Sequence, residues 1–394
     1  MKTATVTWIT YNNYGTELQA FALQKYLESR RIDNTIISDH DIVSKKKPPS
    51  SASTSSLENS PQSNLSLFKK YIFHPFRCVN RITTLLMRRV DAWKKIKQEA
   101  PYYRSQELFS SFKQNDLKIL LGKKRDDMDA LNLEFDAFIC GSDQIWSVFD
   151  YNFDGYFFLN FVKKRKISYA ASIGTENFTD AKKKQIADWL SSFDAISTRE
   201  QQTAIQLQSI TNREITWVAD PTLLQTNLFW EEFCQKIRPL RRKYILCYFL
   251  ENSSWYFNYA EKLSSSLGLE LILIPSNLTF TKNKHVYKHA VGPKEFVSLI
   301  AHADFVLTDS YHGSIFAIQF NKKFLYLQRF SENDPFCQNI RVHSLFDYLE
   351  LNNLIVPKKG FSPSDIHCID YNYVNRRIED LREQSRQFII TNLG

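Results

Sequence analysis

Three junctions between an apolar strand pattern and a helical pattern carry the residues best suited to chemistry. The first runs Tyr11-Asn12-Asn13-Tyr14-Gly15 into Leu18-Gln19-Ala20. Its glycine permits a tight turn, and the helix start behind it offers free N–H groups to an anion. The same asparagines also serve as ordinary helix caps. The second, Gly141-Ser142-Asp143-Gln144-Ile145-Trp146, directly follows an apolar run. A cap alone does not need this set. Asp143 suits a general base for a sugar hydroxyl, and Trp146 offers a face on which a sugar ring can stack. The third is Thr308-Asp309-Ser310-Tyr311-His312-Gly313-Ser314, between a strand and an apolar helix. A helix N-terminus disfavours a cationic histidine. A bound phosphate or carboxylate reverses that, so His312 becomes a proton donor when an anionic donor substrate is present. A histidine simply hydrogen-bonded to a neighbouring loop is the alternative. Arg199, after the strand pattern 194–197, is a fourth candidate, because guanidinium pairs bidentately with carboxylate or phosphate.

The elements that must hold these junctions follow an α/β rhythm. A strand at 3–10, an amphipathic helix at 15–30 and a strand at 34–38 open a βαβ unit, in which ligands gather at the carboxyl ends of parallel strands. Strands at 135–140, 167–171, 194–197 and 215–218 and helices at 181–191 and from 200 complete a first half. Asp220-Pro221 marks a boundary, since the residue before proline disfavours helix. A second unit places strands at 244–250, 269–274, 305–308 and 324–327, with helices at 254–267, 293–303 and 312–320. The expected architecture is α/β and GT-B-like: two Rossmann-like domains, 1–222 and 223–373, facing a central cleft. A C-terminal helix, 374–394, packs back across the boundary, and a basic, partly flexible helical insertion occupies 44–115 of the first domain.

The 394 residues suit two domains, and 43% apolar with 24% charged residues suits folded cores. No apolar run approaches the roughly 18 residues that span a bilayer, and the start at Met1 alternates polar and apolar residues where a signal peptide has an apolar stretch. Six scattered cysteines without a Cys-x-x-Cys pair fit a reducing cytosol and argue against a disulfide framework or zinc site. The net charge is +9, but residues 69–97 alone hold nine basic residues against Asp91 and leave the rest near neutral. Such a local charge does not make a nucleic-acid-binding face. Within this segment Val79, Ile82, Leu86, Val90 and Trp93 recur every three or four residues. Either the helix lies on an anionic membrane surface through residues 65–97, or it buries its stripe on the domain and leaves its lysines solvated. The dinucleotide, P-loop, zinc-protease and serine-hydrolase signatures are all absent.

Taken in order, NYGTELQAFALQKYL (13–27), FICGSDQIW (138–146), ISYAASIG (167–174), DAISTRE (194–200), ADPTLL (219–224), VGPKEFVSLIAHADFVLTDSYHGSIFAIQF (291–320) and the looser NIRVHSLFDYL (339–349) resemble the polysaccharide pyruvyl transferase family. The resemblance implies transfer of a pyruvyl group from phosphoenolpyruvate to a saccharide as a cyclic ketal, in the synthesis of a cell-surface polysaccharide such as a capsule or exopolysaccharide. The transfer scheme requires no cofactor or metal; the cysteine usage expects a cytoplasmic enzyme, and the basic segment, where it binds membrane, expects a peripheral position at the inner face that suits a lipid-linked acceptor. Arg199 and His312 match the family's donor-contacting arginine and histidine. Characterised members carry an arginine two positions before that histidine, where this chain has Ser310; Arg341 either restores the charge or is a plain surface arginine. Ser310, Gly313 and Ser314 are then donor-side residues and Asp143 the base. Asn12, Asn13, Tyr14, Gly15, Gln19, Ser142, Gln144 and Trp146 face the acceptor. A glycosyltransferase using a nucleotide-activated sugar is the alternative on the same fold.

Overall fold

Two five-stranded parallel sheets organise the chain in a computed structural model that describes residues 1–40, 42, 75–149 and 153–394, with backbone alone over 75–92. The expected flexible stretch 44–64 and the start of the basic segment lie outside the described residues. The first sheet has β1 (Lys2–Val6), β2 (Asp33–Ile37), β3 (Ile119–Leu120), β4 (Ala137–Cys140) and β5 (Arg165–Ser168), in the order β3-β2-β1-β4-β5. The short pair β6 (Ser197–Thr198) and β7 (Thr216–Trp217) continues its edge through single bridges from Ile167 to Ala195 and Ala171 to Thr198. The second sheet has β8 (Tyr244–Tyr248), β9 (Glu270–Ile274), β10 (Phe305–Thr308), β11 (Lys323–Leu327) and β12 (Ile355–Val356), in the order β12-β11-β10-β8-β9.

The helices are α1 (Tyr14–Ser29), α2 (Pro75–Asp116), α3 (Met128–Glu134), α4 (Asp180–Leu190), α5 (Gln201–Thr211) and α6 (Pro221–Leu224). They continue with α7 (Asn227–Cys234), α8 (Ser254–Leu267), α9 (Pro293–Ala301), α10 (Tyr311–Gln319), α11 (Ile340–Leu349) and α12 (Tyr371–Leu393).

Strands covered by helices on both faces read as apolar runs, and β8, YILCY, is buried throughout. The alternating KTATV of β1 reads instead as half-exposed, yet Thr3 and Thr5 are buried. Asn34 of β2 donates to both hydroxyls at 2.9 Å, which satisfies polar groups that would otherwise cost free energy in a dry core. The strand ends at Val6, four residues short of the sequence pattern, and residues 7–10 lead across to the site.

Two helices tie the sheets together. Helix α12 donates Arg382 Nε to the Leu223 carbonyl at 2.8 Å, and Ser385 Oγ accepts from the Ala219 amide. The body-bound part of α2 reaches both sides. Lys113 donates to Asn12 Oδ1 and the Ile9 carbonyl, Ser105 Oγ accepts from the Val291 amide, and Lys294 pairs with Asp116. No helix among the described residues is long and apolar enough to cross a membrane.

Candidate active site

The segments leaving the carboxyl ends of β1, β4, β6 and β10 meet at one buried cluster. Its centre is Asp220, N-cap of α6, which was read from sequence only as a boundary. One of its oxygens accepts from the Thr222 amide and hydroxyl at 2.9 and 2.6 Å. The other faces Arg199 Nη1 at 3.1 Å and His312 Nε2 at 3.4 Å; the imidazole is within ion-pair reach but not aligned as a hydrogen bond. Burial alone would raise the Asp220 carboxyl, but His312 and Arg199 outweigh it and hold the group well below the usual range. His312 Nε2 thus faces a resident carboxylate, that of Asp220, besides any anion a substrate brings.

Arg199 is fully buried. Its Nε donates to Glu200 at 3.2 Å, its Nη1 lies 3.8 Å from Asp143, and its guanidinium sits 4.6 Å above the Tyr311 ring. Burial opposes its charge, but Glu200, Tyr311, Asp220 and Asp143 more than compensate and raise its pKa. The open anion clamp expected there is corrected to a locked group. Only Nη2 lacks a partner.

The free cations lie nearby. Arg341, second residue of α11, feels the charge of Arg199, and among the described residues its hydrogen bonds go to Gln338 alone. Burial, Arg329 and Arg199 push it down to about 10. Arg329, two residues beyond β11, was missed by the sequence reading. Among the described residues it makes no ion pair; it stacks 4.5 Å over the Phe330 ring and leaves a buried Nε unpartnered. Its charge reaches Asp309, whose carboxyl burial pushes up to about 6 although Leu250 and Glu251 amides donate to it. Arg329 is thus the cation whose charge most lowers Asp309, the residue before Ser310.

Gly15 packs directly on the His312 ring. A Cβ there would stand 2.8 Å from Cε1 and closer still to Nδ1 and Cγ. Asp143, held at φ 72°, accepts from Thr16 Oγ1 at 2.7 Å and from the Gln144 amide at 2.9 Å. A positive φ in a non-glycine residue is uncommon and gathers at functional sites.

Several expected contacts are structural instead. Trp146 is wholly buried, stacked 5.1 Å from Phe158 and donating Nε1 to the Phe157 carbonyl, so no face remains for a sugar. Tyr14 stacks 4.3 Å from Phe296 and donates to the Val291 carbonyl, pinning the two halves together. Gln19 donates to Thr7 and Thr16, Ser142 to the Ala170 carbonyl and Ser314 to the Tyr311 carbonyl, all in the interior. Ser310 caps α10 by accepting from the Gly313 amide, and Gly313 lies against Thr308, whose Cβ a side chain there would meet at 3.2 Å. Asn13 caps α1, and exposed Asn12 is engaged by Gln106 and Lys113. Gln144 remains half-buried beside Gly174.

Two parallel α/β sheets whose strand ends face one polar cluster define a GT-B-like protein, and solved structures agree. A UDP-N-acetylglucosamine 2-epimerase aligns with 99% of this chain and 95% of its own at TM-score 0.52 and 10% identity. MnaA of S. aureus, solved with UDP, aligns with 98% of this chain and 90% of its own at TM-score 0.50 and 13% identity. These likenesses concern the fold alone. No curated sequence matches at a significant level. The profile of the family described as polysaccharide pyruvyl transferase matches residues 13–329, and the chain belongs to that family of transferases.

Proposed function

We propose that the chain transfers a pyruvyl group from phosphoenolpyruvate to two hydroxyls of a saccharide, forming a ketal in cell-surface polysaccharide synthesis. The observation that carries this is a group of arginines whose charges bear on one another: Arg199, held at Asp220 beside His312 with Nη2 unpartnered, Arg341, which feels Arg199, and Arg329, which bears on Arg341 and leaves a buried Nε unpartnered. Like charges gathered at one buried place raise one another's cost, and an anion with both carboxylate and phosphate relieves it. Arg329 and Arg341 supply the charge that Ser310 does not.

In this reading His312, steered by Asp220, protonates the methylene carbon of phosphoenolpyruvate, leaving C2 electrophilic. One acceptor hydroxyl adds to C2 and gives its proton to Asp143. A second hydroxyl then displaces inorganic phosphate and closes the ring, its proton leaving with the phosphate, and the proton taken by Asp143 returns through solvent to His312. Carbon, phosphorus and charge balance without a redox partner or metal. Ser310 favours a second reading, glycosyl transfer from a nucleotide-activated sugar.

The test is to incubate the enzyme with phosphoenolpyruvate and a panel of saccharide acceptors and to measure phosphate release with the acceptor's gain in mass. Saccharide-dependent release, lowered at least ~10²-fold in His312→Ala, is expected. Turnover of a nucleotide sugar, with phosphoenolpyruvate inert, overturns the reading.

A further inference from the structure

Helix α2 has two parts with different surroundings. From Gln98 onward it lies on the body: Gln98 Nε2 donates to the Thr281 carbonyl at 2.6 Å, and Phe109 and Phe112 are buried in the core. Pro101 stands just beyond that first contact and cannot donate to the Lys97 carbonyl, which weakens the helix where the two parts join. Before it, every residue from Trp93 to Gln98 is exposed. The five residues 93–97, before the Gln98 contact, exceed one turn of 3.6, so no side of the helix rests on the described residues there. The reading in which this stretch buries its stripe on the domain does not hold at 93–97. Trp93 is 62% and Ile96 68% exposed, unusual for large apolar side chains, and the Lys97 ammonium lies 5.3 Å over the Trp93 ring.

The sequence of the preceding helical turns extends the pattern. Over 75–97 the basic residues are Arg77, Arg81, Arg88, Arg89, Lys94, Lys95 and Lys97 against Asp91. On helical spacing Val79, Ile82, Leu86, Val90 and Trp93 share one side, while Arg77, Arg81, Arg88 and Lys95 fall opposite. We propose that the 75–97 arm of α2 docks on an anionic lipid bilayer, its apolar stripe entering the headgroup boundary and its cations facing lipid phosphates. Charge decides the occupant. A second copy of an arm carrying seven cations and one acid would repel it, whereas an anionic leaflet attracts it at long range. Tryptophan and long basic side chains, apolar along the stem and polar at the tip, suit that boundary. The same helix carries Gln106 and Lys113, which hold Asn12 at the rim of the site.

The test is co-sedimentation of the full chain with phosphatidylcholine vesicles, with and without phosphatidylglycerol, at low and high salt. Binding is expected only with the anionic lipid and should fall as salt shortens the screening length from about 10 Å at 0.1 M to about 3 Å at 1 M. Lys94→Gln, Lys95→Gln and Lys97→Gln together should weaken it by about 10²-fold, at roughly a tenfold loss for each 1.4 kcal/mol. Trp93→Ser with Ile96→Ser should weaken it on anionic vesicles at all salts. Both sets are exposed and should leave the melting temperature unchanged. Equal binding to neutral vesicles, equal binding by both variants, or self-association through the arm without vesicle binding overturns the proposal.

Discussion

Gly15→Ala tests the contact between the two halves of the site most sharply, because the sign of its effect is diagnostic. Gly15 is the second residue of α1, and alanine in a helix is favoured over glycine by roughly 0.5–1 kcal/mol. Without a clash the variant would gain stability. The added Cβ, however, would lie 2.8 Å from His312 Cε1 and nearer still to Nδ1 and Cγ, where ordinary contacts begin at 3.4 Å. The ring has to retreat by on the order of 1 Å, and its far edge already faces Asp220 at 3.4 Å. Overpacking of this kind costs about 1–3 kcal/mol, or a fall of roughly 1–4 °C in melting temperature for a chain of 394 residues. A misplacement of ~1 Å also costs about 10²-fold in turnover. The assay is a double-mutant cycle of Gly15→Ala and His312→Ala by thermal melting, with turnover of the single variants beside it. Since the imidazole is the obstacle, the double variant should recover about 1–3 kcal/mol relative to the sum. A Gly15→Ala protein as stable and active as the parent, or additive costs in the cycle, would refute the placement of His312.

Other consequences are equally concrete. Asp220→Asn keeps the Thr222 contact but removes the charge facing Arg199 and His312; a melting temperature lowered by the equivalent of about 3 kcal/mol and a turnover loss of ~10²–10⁴ are expected, and a fully active variant would contradict the steering role. Trp146→Phe leaves the Phe157 carbonyl unpaired and should cost about 1–3 kcal/mol of stability with the acceptor KM unchanged; a KM effect alone would reinstate Trp146 as a sugar contact. Glu17, buried beside Lys113 at 3.1 Å, is raised to about 8 because burial outweighs the lysine. Its native form holds a proton that the unfolded chain releases near pH 4.5, so this group makes stability fall as pH rises between about 5 and 8. Glu17→Gln should remove that part of the fall, and an unchanged stability–pH curve would count against it.

Much of the fold was legible because strands buried on both faces and helices with one apolar side leave strong periodic traces. The helix 254–267 and the strand 305–308 fall at the positions their patterns indicate. The two-residue strands β3 and β12 left no trace, since their pairing is set by the neighbouring strand and not by their own side chains. In the site, the three junctions are where the sequence put them, but which side chains face outward was not readable. Trp146 and Tyr14 look like ligand surfaces in one dimension and turn out to hold the core and the two halves together. Arg329 stands two residues after β11, and position just past a carboxyl strand end was the signal that could have found it. Asp220 was hidden by its second role as a cap before proline. Its partners Arg199 and His312 lie 21 and 92 residues away in the chain, a distance that only folding closes.

The central claim is that an anion carrying carboxylate and phosphate sits among Arg329, Arg341 and Arg199, and thermal shift with phosphoenolpyruvate tests it most directly. At 100 times its Kd a ligand stabilises the native state by about 2.7 kcal/mol, roughly 3 °C for 394 residues. The account predicts that shift for phosphoenolpyruvate, its loss in Arg329→Ala, and none with UDP-, GDP-, CMP- or dTDP-sugars. A shift with one nucleotide sugar and none with phosphoenolpyruvate would contradict it.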